Sequence, residues 1–525
     1  MTRDEIAELE QLQAAEMARV VRPASENGGE YWNVNAEVFT YPPAFGYPKV
    51  EGADRYEFII VDNGFHRYAF AAPTPNEPLT GIWTKLDTGL TMVFCHGLDK
   101  DGRSVGLAGR SCFWKAAPFK PGAYPGAKRP YAESAALIYD YVFNLPSTRF
   151  WLEHGRPDPG YILNCYPTKI HASLISAMVR YAGAVPEKAA EALRLARLLA
   201  DYLIADSEKP GTPLAGFPPT YEKRAEHKFA TAGKYEGQMM LIYPAAAGNA
   251  YFALFHATDD RRYFDAAVAV ADRYAALQGE DGSWFLKVYL ADGRPVNPNR
   301  CLPVGIAEFL ETAYAETGDA RYRAVADRAF AFLEQGPLRD WNWEGQFEDV
   351  EPTAKYVNLT KHPACETAIY LARRFPGDTV KMALARELLR FAEDQFVFWE
   401  RPCRTDGTGI RTNDGRHHRD DVTADYLKWL DFPSVAEQYR WYIPIDASNA
   451  KLINTYLALY RVTGSKLDLA KARTLGDTLT RVQLDSGRIP TQLAEYNLLD
   501  AGGDWVNCML AAARALENLA AEDGK

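Results

Sequence analysis

The chain has 525 residues, 47% apolar, 13% aromatic and 24% charged, a balance that belongs to globular proteins and excludes fibrous and disordered classes. Its 59 Lys and Arg against 69 Asp and Glu give a net charge of -10 with no run of basic residues, which argues against a nucleic-acid partner. No apolar stretch is long enough to span a bilayer, and Met1-Thr2-Arg3-Asp4-Glu5-Ile6 lacks the apolar run of a secretory signal, so the expectation is a cytoplasmic protein with no membrane partner.

In chain order, Ile6, Leu9, Leu12, Gln13, Met17 and Val20 fall at helical spacing behind Thr2, an N-cap candidate, and predict one amphipathic helix within residues 1–36. From 37 to 150 the texture is β-rich. Tyr56-Glu57-Phe58-Ile59-Ile60, Leu90-Thr91-Met92-Val93-Phe94 and the stretch Ser111–Trp114 are short strand-like runs, divided by Asp62-Asn63-Gly64 and Asp101-Gly102 turns.

From about residue 161 a repeat of helical pairs begins. A helix of small and apolar residues ends in a Thr-Gly-Asp-like turn, and a charged, Ala-rich amphipathic helix follows. The turns are Thr258-Asp259-Asp260, Thr317-Gly318-Asp319, Pro376-Gly377-Asp378 and Thr463-Gly464-Ser465, with Asp260, Asp319 and Asp378 at constant spacing. Inner helices are predicted near 168–182, 239–257, 302–317, 361–374, 446–463 and 503–520. Outer partners follow near 186–206, 260–277, 320–335, 378–396 and 467–485, with a long insertion over 397–445. The sixth inner helix has no partner after it, so the N-terminal helix is expected to return and close a ring.

The pattern resembles the six-hairpin (α/α)6 toroid shared by many glycoside hydrolases, some polysaccharide lyases and some sugar epimerases. The resemblance covers roughly 161–520 and rests on architecture; a β-rich unit ahead of the toroid also occurs in several such families, glucuronyl epimerases among them. It implies a mainly α fold, with a small β-rich unit followed by a toroid over 151–525, and raises the expectation of a carbohydrate-active enzyme. An α-solenoid gives the same helix pairs.

In such a ring the turns within hairpins share one end and the connections between hairpins the other. Here the connections, near 207–238, 278–301, 336–360, 397–445 and 486–502, are long and rich in aromatic and charged residues, which places the functional end there. The densest segment runs from Asp340 through Trp341, Trp343, Glu344, Glu348 and Asp349, past Lys355 and Tyr356, to Lys361-His362. Glycosidic cleavage needs one protonated carboxyl and one ionised carboxylate. Glu344 is the first candidate for the acid, with Asp349, Glu348 or Glu236 as partner and His362 as a further catalytic candidate; a solvated acidic loop is the alternative. Tyr235-Glu236-Gly237-Gln238 echoes Trp343-Glu344-Gly345-Gln346. Trp341, Trp343, Tyr235 and Trp284 are candidates for stacking on sugar rings, and Arg294 and His417 for meeting polar or acidic substituents. Tyr243 and His171 complete the substrate-binding candidates.

A rival mechanism removes a proton beside a uronate carboxylate with a His, Tyr or Lys base. His171, Lys169, His227, Tyr243, Arg294, Arg300 and His362 could supply the base and the neutralising cation, and Asn297 and Asn299 are polar sugar contacts. Within the insertion, His417, His418, Asp420 and Asp421 are crowded side by side without the spacing of a metal site. The seven cysteines form no CxxC pair and no zinc-spaced cluster. No GxSxG elbow, Walker A loop or GxGxxG turn is present, so neither metal nor cofactor is expected. The reading is a hydrolase of an oligosaccharide, uronic-acid-containing or neutral, able to form a homo-oligomer. A uronate lyase or C5 epimerase is second, and a non-catalytic glycan-binding protein third.

Overall fold

The computed structural model describes residues 2–21, 32, 35–222, 235–401, 428–439, 441–495 and 505–524. Helix α1 (Arg3–Met17) starts in a capping box: the Thr2 hydroxyl accepts from the Glu5 amide, and the Glu5 carboxylate accepts from the Thr2 amide at 2.6 Å. Five strands follow, β1 (Val38–Phe39), β2 (Arg55–Val61), β3 (Arg67–Ala72), β4 (Gly89–Leu98) and β5 (Ser104–Lys115), in the order β1-β5-β4-β2-β3. All pairs are antiparallel except β1 with β5. Along β2, Tyr56, Phe58 and Ile60 are buried while their neighbours are half-buried, the period-two signature of a strand with one face on the core.

Helices α2 (Tyr131–Asn144) and α3 (Pro146–His154) lead into the repeat. Its helices are α4 (Pro167–Ala184), α5 (Ala189–Asp206), α6 (Pro244–Thr258), α7 (Arg261–Leu277), α8 (Val304–Thr317) and α9 (Ala320–Gln335). They continue through the short α10 (Pro337–Asp340), α11 (His362–Arg374), α12 (Thr379–Phe396), α13 (Asp446–Thr463), α14 (Lys466–Val482) and α15 (Val506–Asp523). The turn sequence explains the repeat. Asp259, Gly318 and Gly464 adopt left-handed φ values of 55°, 74° and 71° that end α6, α8 and α13. The next residues, Asp260, Asp319 and Ser465, with Asp378 in the third turn, then cap α7, α9, α14 and α12 by accepting backbone N–H bonds.

Helices α4, α6, α8, α11, α13 and α15 pack side by side and close on themselves, α15 against α4, while α5, α7, α9, α12 and α14 each pack outside their hairpin partner. This is an (α/α)6 toroid. The sixth outer position corrects the sequence reading: it is filled by α2, from within the stretch read as β-rich, and not by the N-terminal helix. The reason lies in apolar surface. Helix α2 buries Tyr131, Ala135, Ile138, Tyr139, Val142 and Phe143, whereas α1 buries only Leu9, Gln13 and Met17. Helix α1 instead lies against the outside of α14, tied by Glu8 to Lys466 at 2.9 Å, with Glu16 reaching Arg390 of α12 at 2.7 Å. No described helix is long and apolar enough to cross a membrane.

Candidate functional site

Every connection from an outer to the next inner helix emerges at the end where the inner helices begin, so six helix N-termini, the positive ends of their dipoles, face one mouth. The connections are laced together there. Strand β6 (Gln238–Met240) pairs with β7 (Lys287–Tyr289), and β8 (Val397–Phe398), β10 (Ser434–Gln438) and β11 (Trp441–Pro444) form a small sheet. Strand β9 (Lys428–Trp429) pairs with β12 (Ala494–Glu495), and single bridges join Glu344 to Leu359 and Thr360 to Gln438.

Glu348 is held at this mouth, beside the starts of α4 and α6. Its carboxylate pairs with the Lys169 ammonium from the first turn of α4 and accepts from the Tyr243 hydroxyl at 2.5 Å, Tyr243 being the residue before α6. Its backbone carbonyl accepts from Tyr221 at 2.9 Å and from Lys287 at 3.3 Å. Burial opposes charge on Glu348, but the Lys169 ammonium and the two side-chain hydrogen bonds outweigh it and hold the carboxyl below its usual range. Burial likewise opposes charge on Lys169, and the Glu348 carboxylate keeps that ammonium above its usual value. The rings of Trp505, Tyr166 and Tyr243 stand 5.9, 6.0 and 6.0 Å from the Lys169 nitrogen, which suits a cation in a desolvated site.

A second carboxyl has the opposite character. Glu437, on β10, is half-buried, and burial pushes its carboxyl up to about 7 against the pull of Lys361 and Lys169, with the carboxylates of Asp349 and Glu348 adding to the rise. Lys361, fully buried, donates to the carbonyls of Ala436 at 2.9 Å and Glu437 at 2.6 Å, and burial pushes its ammonium down. The next residue, His362, opens α11 half-buried with its ring edge-on to Phe347 at 6.0 Å. Burial, then the charges of Lys361, Lys451 and Lys169, hold this imidazole neutral well below its usual value. The mouth therefore carries an ionised carboxylate, a carboxyl that keeps its proton near neutrality, and a neutral histidine.

Of the sequence candidates, the structure brings together Glu348, Tyr243, His362 and Lys169, with exposed Asp349 close enough to act electrostatically on Lys169, Tyr243 and Glu437. Others it places elsewhere. Trp341 and Trp343 are wholly buried, 6.0 Å apart, with Trp341 edge-on to Phe391, so they form packing beneath the loop and present no face for a sugar. Glu344 is buried below the same loop, accepting from the Asn358 amide at 3.3 Å. Tyr235 is buried against Tyr221 at 4.7 Å, with the Lys287 nitrogen 3.9 Å above its ring, and Glu236 beside it is exposed. Trp284 is core, donating to the Tyr274 carbonyl at 3.0 Å. Arg294 lies on the surface, paired with Asp292 at 2.6 Å.

His171 is fully buried between Trp151 and Tyr202, 3.3 Å from the Asn164 amide oxygen. Arg300 reaches Asp281 at 3.3 Å over the Phe285 ring, Asn297 donates to Glu351, and Asn299 donates to the Pro352 carbonyl at 3.1 Å. His227, His417, His418, Asp420 and Asp421 lie outside the described residues.

Sequence reasoning missed Glu437, Lys287, Trp505 and Tyr221. Lys287 has a fully buried side chain, pairs with Glu351 at 2.8 Å and props the Glu348 loop from beneath. A lone Glu in the otherwise uncharged run Ser434-Val435-Ala436-Glu437-Gln438 is the one signal that could have singled out Glu437. Among the described residues, only Asp62, His66 and Asp87 could close on a metal ion, and the Asp62 carboxylate is already occupied by the amides of Gly64, His66 and Asp87.

No family model matches the chain, and no curated protein matches it in sequence. Solved structures similar to it include a family 76 glycoside hydrolase from a bovine Bacteroides thetaiotaomicron strain, at 11% identity and TM-score 0.46, covering 93% of this chain and 97% of that one. A cellobiose 2-epimerase from Spirochaeta thermophila aligns at 14% identity and TM-score 0.49, over 74% of this chain and 96% of its own. An unsaturated glucuronyl hydrolase specific for heparin aligns at 10% identity and TM-score 0.45, over 75% and 97%. All three scores fall below one half, and the toroid stands on the closed ring of helices described above.

Proposed function

We propose that the chain is a glycoside hydrolase acting on an oligosaccharide, with Glu437 as the acid and Glu348, flanked by Asp349, as the ionised carboxylate. The observation that carries this reading is the opposed protonation of two carboxyls at one mouth. Environments that push two carboxyl pKa values apart assign an acid and a base. The Glu437 carboxyl gives its proton to the glycosidic oxygen as the bond to the anomeric carbon breaks. The ionised carboxylate attacks that carbon or takes a proton from the attacking water. Tyr243 and Lys169 fix the orientation of Glu348, and the N-termini of α4 and α6 from which they come favour the negative charge it carries before reaction.

The neutral imidazole of His362 favours a second reading, removal of a proton beside a uronate carboxylate by a lyase or epimerase, with Lys169 or Lys361 as the neutralising cation. Incubation with a panel of neutral and uronic oligosaccharides, following reducing ends and ultraviolet absorbance together, separates the readings. Hydrolysis gives new reducing ends without absorbance, and Glu437→Gln and Glu348→Gln each lower turnover by about a hundredfold to ten-thousandfold. Absorbance from an unsaturated product, or a change of sugar configuration without cleavage, moves the chemistry to His362. Saturable binding without any conversion makes the chain a glycan-binding protein.

A further inference from the structure

The five-stranded sheet is apolar on both faces. Its inner face carries Tyr56, Phe58, Ile60 and Val93 into the core, and β1 seats it on α12. An antiparallel sheet with water on its other side alternates apolar-in with polar-out. Strand β4 breaks that rule: Gly89, Thr91, Val93, Cys95 and Gly97 point inward and are buried, while Leu90, Met92, Phe94, His96 and Leu98 point outward. On β2 the outward positions hold Ile59 and Val61 beside Glu57. Ile59, Val61, Met92, Phe94 and Leu98 are half-exposed and stand outside the core, and Leu90 and Leu107 are 36% and 50% exposed. Strands of this composition are built to be covered on both sides.

The register sets the outward side chains in rows. Ala69, Ile59, Phe94 and Arg110 stand side by side on β3, β2, β4 and β5. The row on one side is Arg67, Val61, Met92 and Cys112, and the row on the other is Ala71, Glu57, His96 and Leu107. Four strands spaced by about 4.8 Å, over the seven residues of β2 at about 3.3 Å each, make a face on the order of 400 Å² in projection. With the relief of its side chains it exposes about 600–800 Å², about half of what a stable interface of standard size buries from both partners.

The arrangement is self-complementary. A two-fold axis along the strands lays β2 of one copy on β4 of another, and β3 on β5. Ile59 then meets Phe94, Val61 meets Met92 and Ala71 meets Leu107, a smaller side chain against a larger one each time. Glu57, the one carboxylate in these rows, meets His96, and Arg67 and Arg110 fall at the rim opposite Cys112 and Ala69, so like charges are not opposed. The longest stretch outside the described residues, 402–427, is dominated by Asp, Arg, Thr and Gly and offers no apolar run to lay on the face.

We propose that the outer face of this sheet is the interface of a homodimer, in which two copies pack sheet on sheet about a two-fold axis. None of its residues belongs to the mouth, and the interface does not rest on the hydrolytic reading.

The test is sedimentation of the full chain from about 0.1 to 100 μM, joined to thiol labelling read at Cys112, which is exposed at the edge of the face. A species of twice the 58.7 kDa chain mass is expected, with Cys112 slow to react. Phe94→Glu sets a carboxylate against Ile59 of the other copy but beside Arg110 in its own sheet, so it is expected to keep the melting temperature, weaken dimerisation about a hundredfold or more and speed the labelling of Cys112. Met92→Glu reads the same loss if Phe94→Glu does not fold. Val380→Glu, at a position 74% exposed on α12, leaves the dimer unchanged. A monomer at every concentration overturns the proposal, slow Cys112 then meaning that another stretch of this chain covers the face and fast Cys112 that the face awaits a different partner. A dimer that survives both Phe94→Glu and Met92→Glu also overturns it.

Discussion

Glu348 and Glu437 are the same side chain in different surroundings, and their difference is measurable. Because Glu437 must carry its proton to act as the acid, kcat/KM is expected to fall as pH rises through about 7, and Glu437→Gln to remove that limb together with most of the activity. Lys169 and Glu348 form a largely buried pair, at 19% and 8% side-chain exposure. Removing one partner strands the other, so Lys169→Met is expected to destabilise the fold by about 3–5 kcal/mol, and Lys169→Met with Glu348→Gln by less than Lys169→Met alone, read from urea unfolding midpoints. At this scale the sequence was legible in part. Glu348 stood out in the loop densest in carboxylates and tryptophans, and Tyr243 and His362 as candidate bases near the starts of predicted inner helices. Trp341, Trp343 and Glu344 stood out equally and proved to be packing, since residue type does not say which side of a loop faces inward. Glu437 stayed hidden because its meaning comes from Lys361 and Lys169, distant in sequence.

The helices were legible because their signals are local. An αL residue closing one helix and an Asp or Ser capping the next lie within three positions, so the hairpins could be counted from turns alone. The docking of the N-terminal segment on α12 was not, because it rests on Asp394, whose Oδ1 accepts the amides of Thr40 at 2.8 Å and Tyr41 at 2.6 Å. Burial pushes this carboxyl up to about 7, against those hydrogen bonds. In the unfolded chain it titrates near about 4, so between about 4 and 7 the folded state binds the proton more tightly. Its stabilising contribution is complete below that window and is lost as pH rises through it. Relative to Asp394→Asn, the wild type is expected to lose stability over pH 4 to 7 and to change no further above it, as read from urea midpoints at each pH.

At the scale of the molecule, the ring depends on a contact between its ends. Helix α2 precedes every inner helix and covers the outside of α15, the last one. A chain starting at residue 37 keeps that contact and is expected to fold, whereas one starting at residue 161, the start of the repeat itself, leaves the outer side of α15 bare and is expected to accumulate as a protease-sensitive species; limited proteolysis distinguishes the two. This closure was misread because periodicity reports which face of a helix is apolar and not which distant helix will cover it.

The same closure orders events in time. A nascent chain makes α2 early and must hold its apolar face, with Ile138, Val142 and Phe143, through the synthesis of the five hairpins between. One edge of that face meets α4, with Phe143 5.5 Å from Tyr181, and the rest is covered only when α15 has been made. Loop closure over five hairpins makes this contact a late one, so the growing polypeptide carries a partly uncovered seam while those hairpins are made.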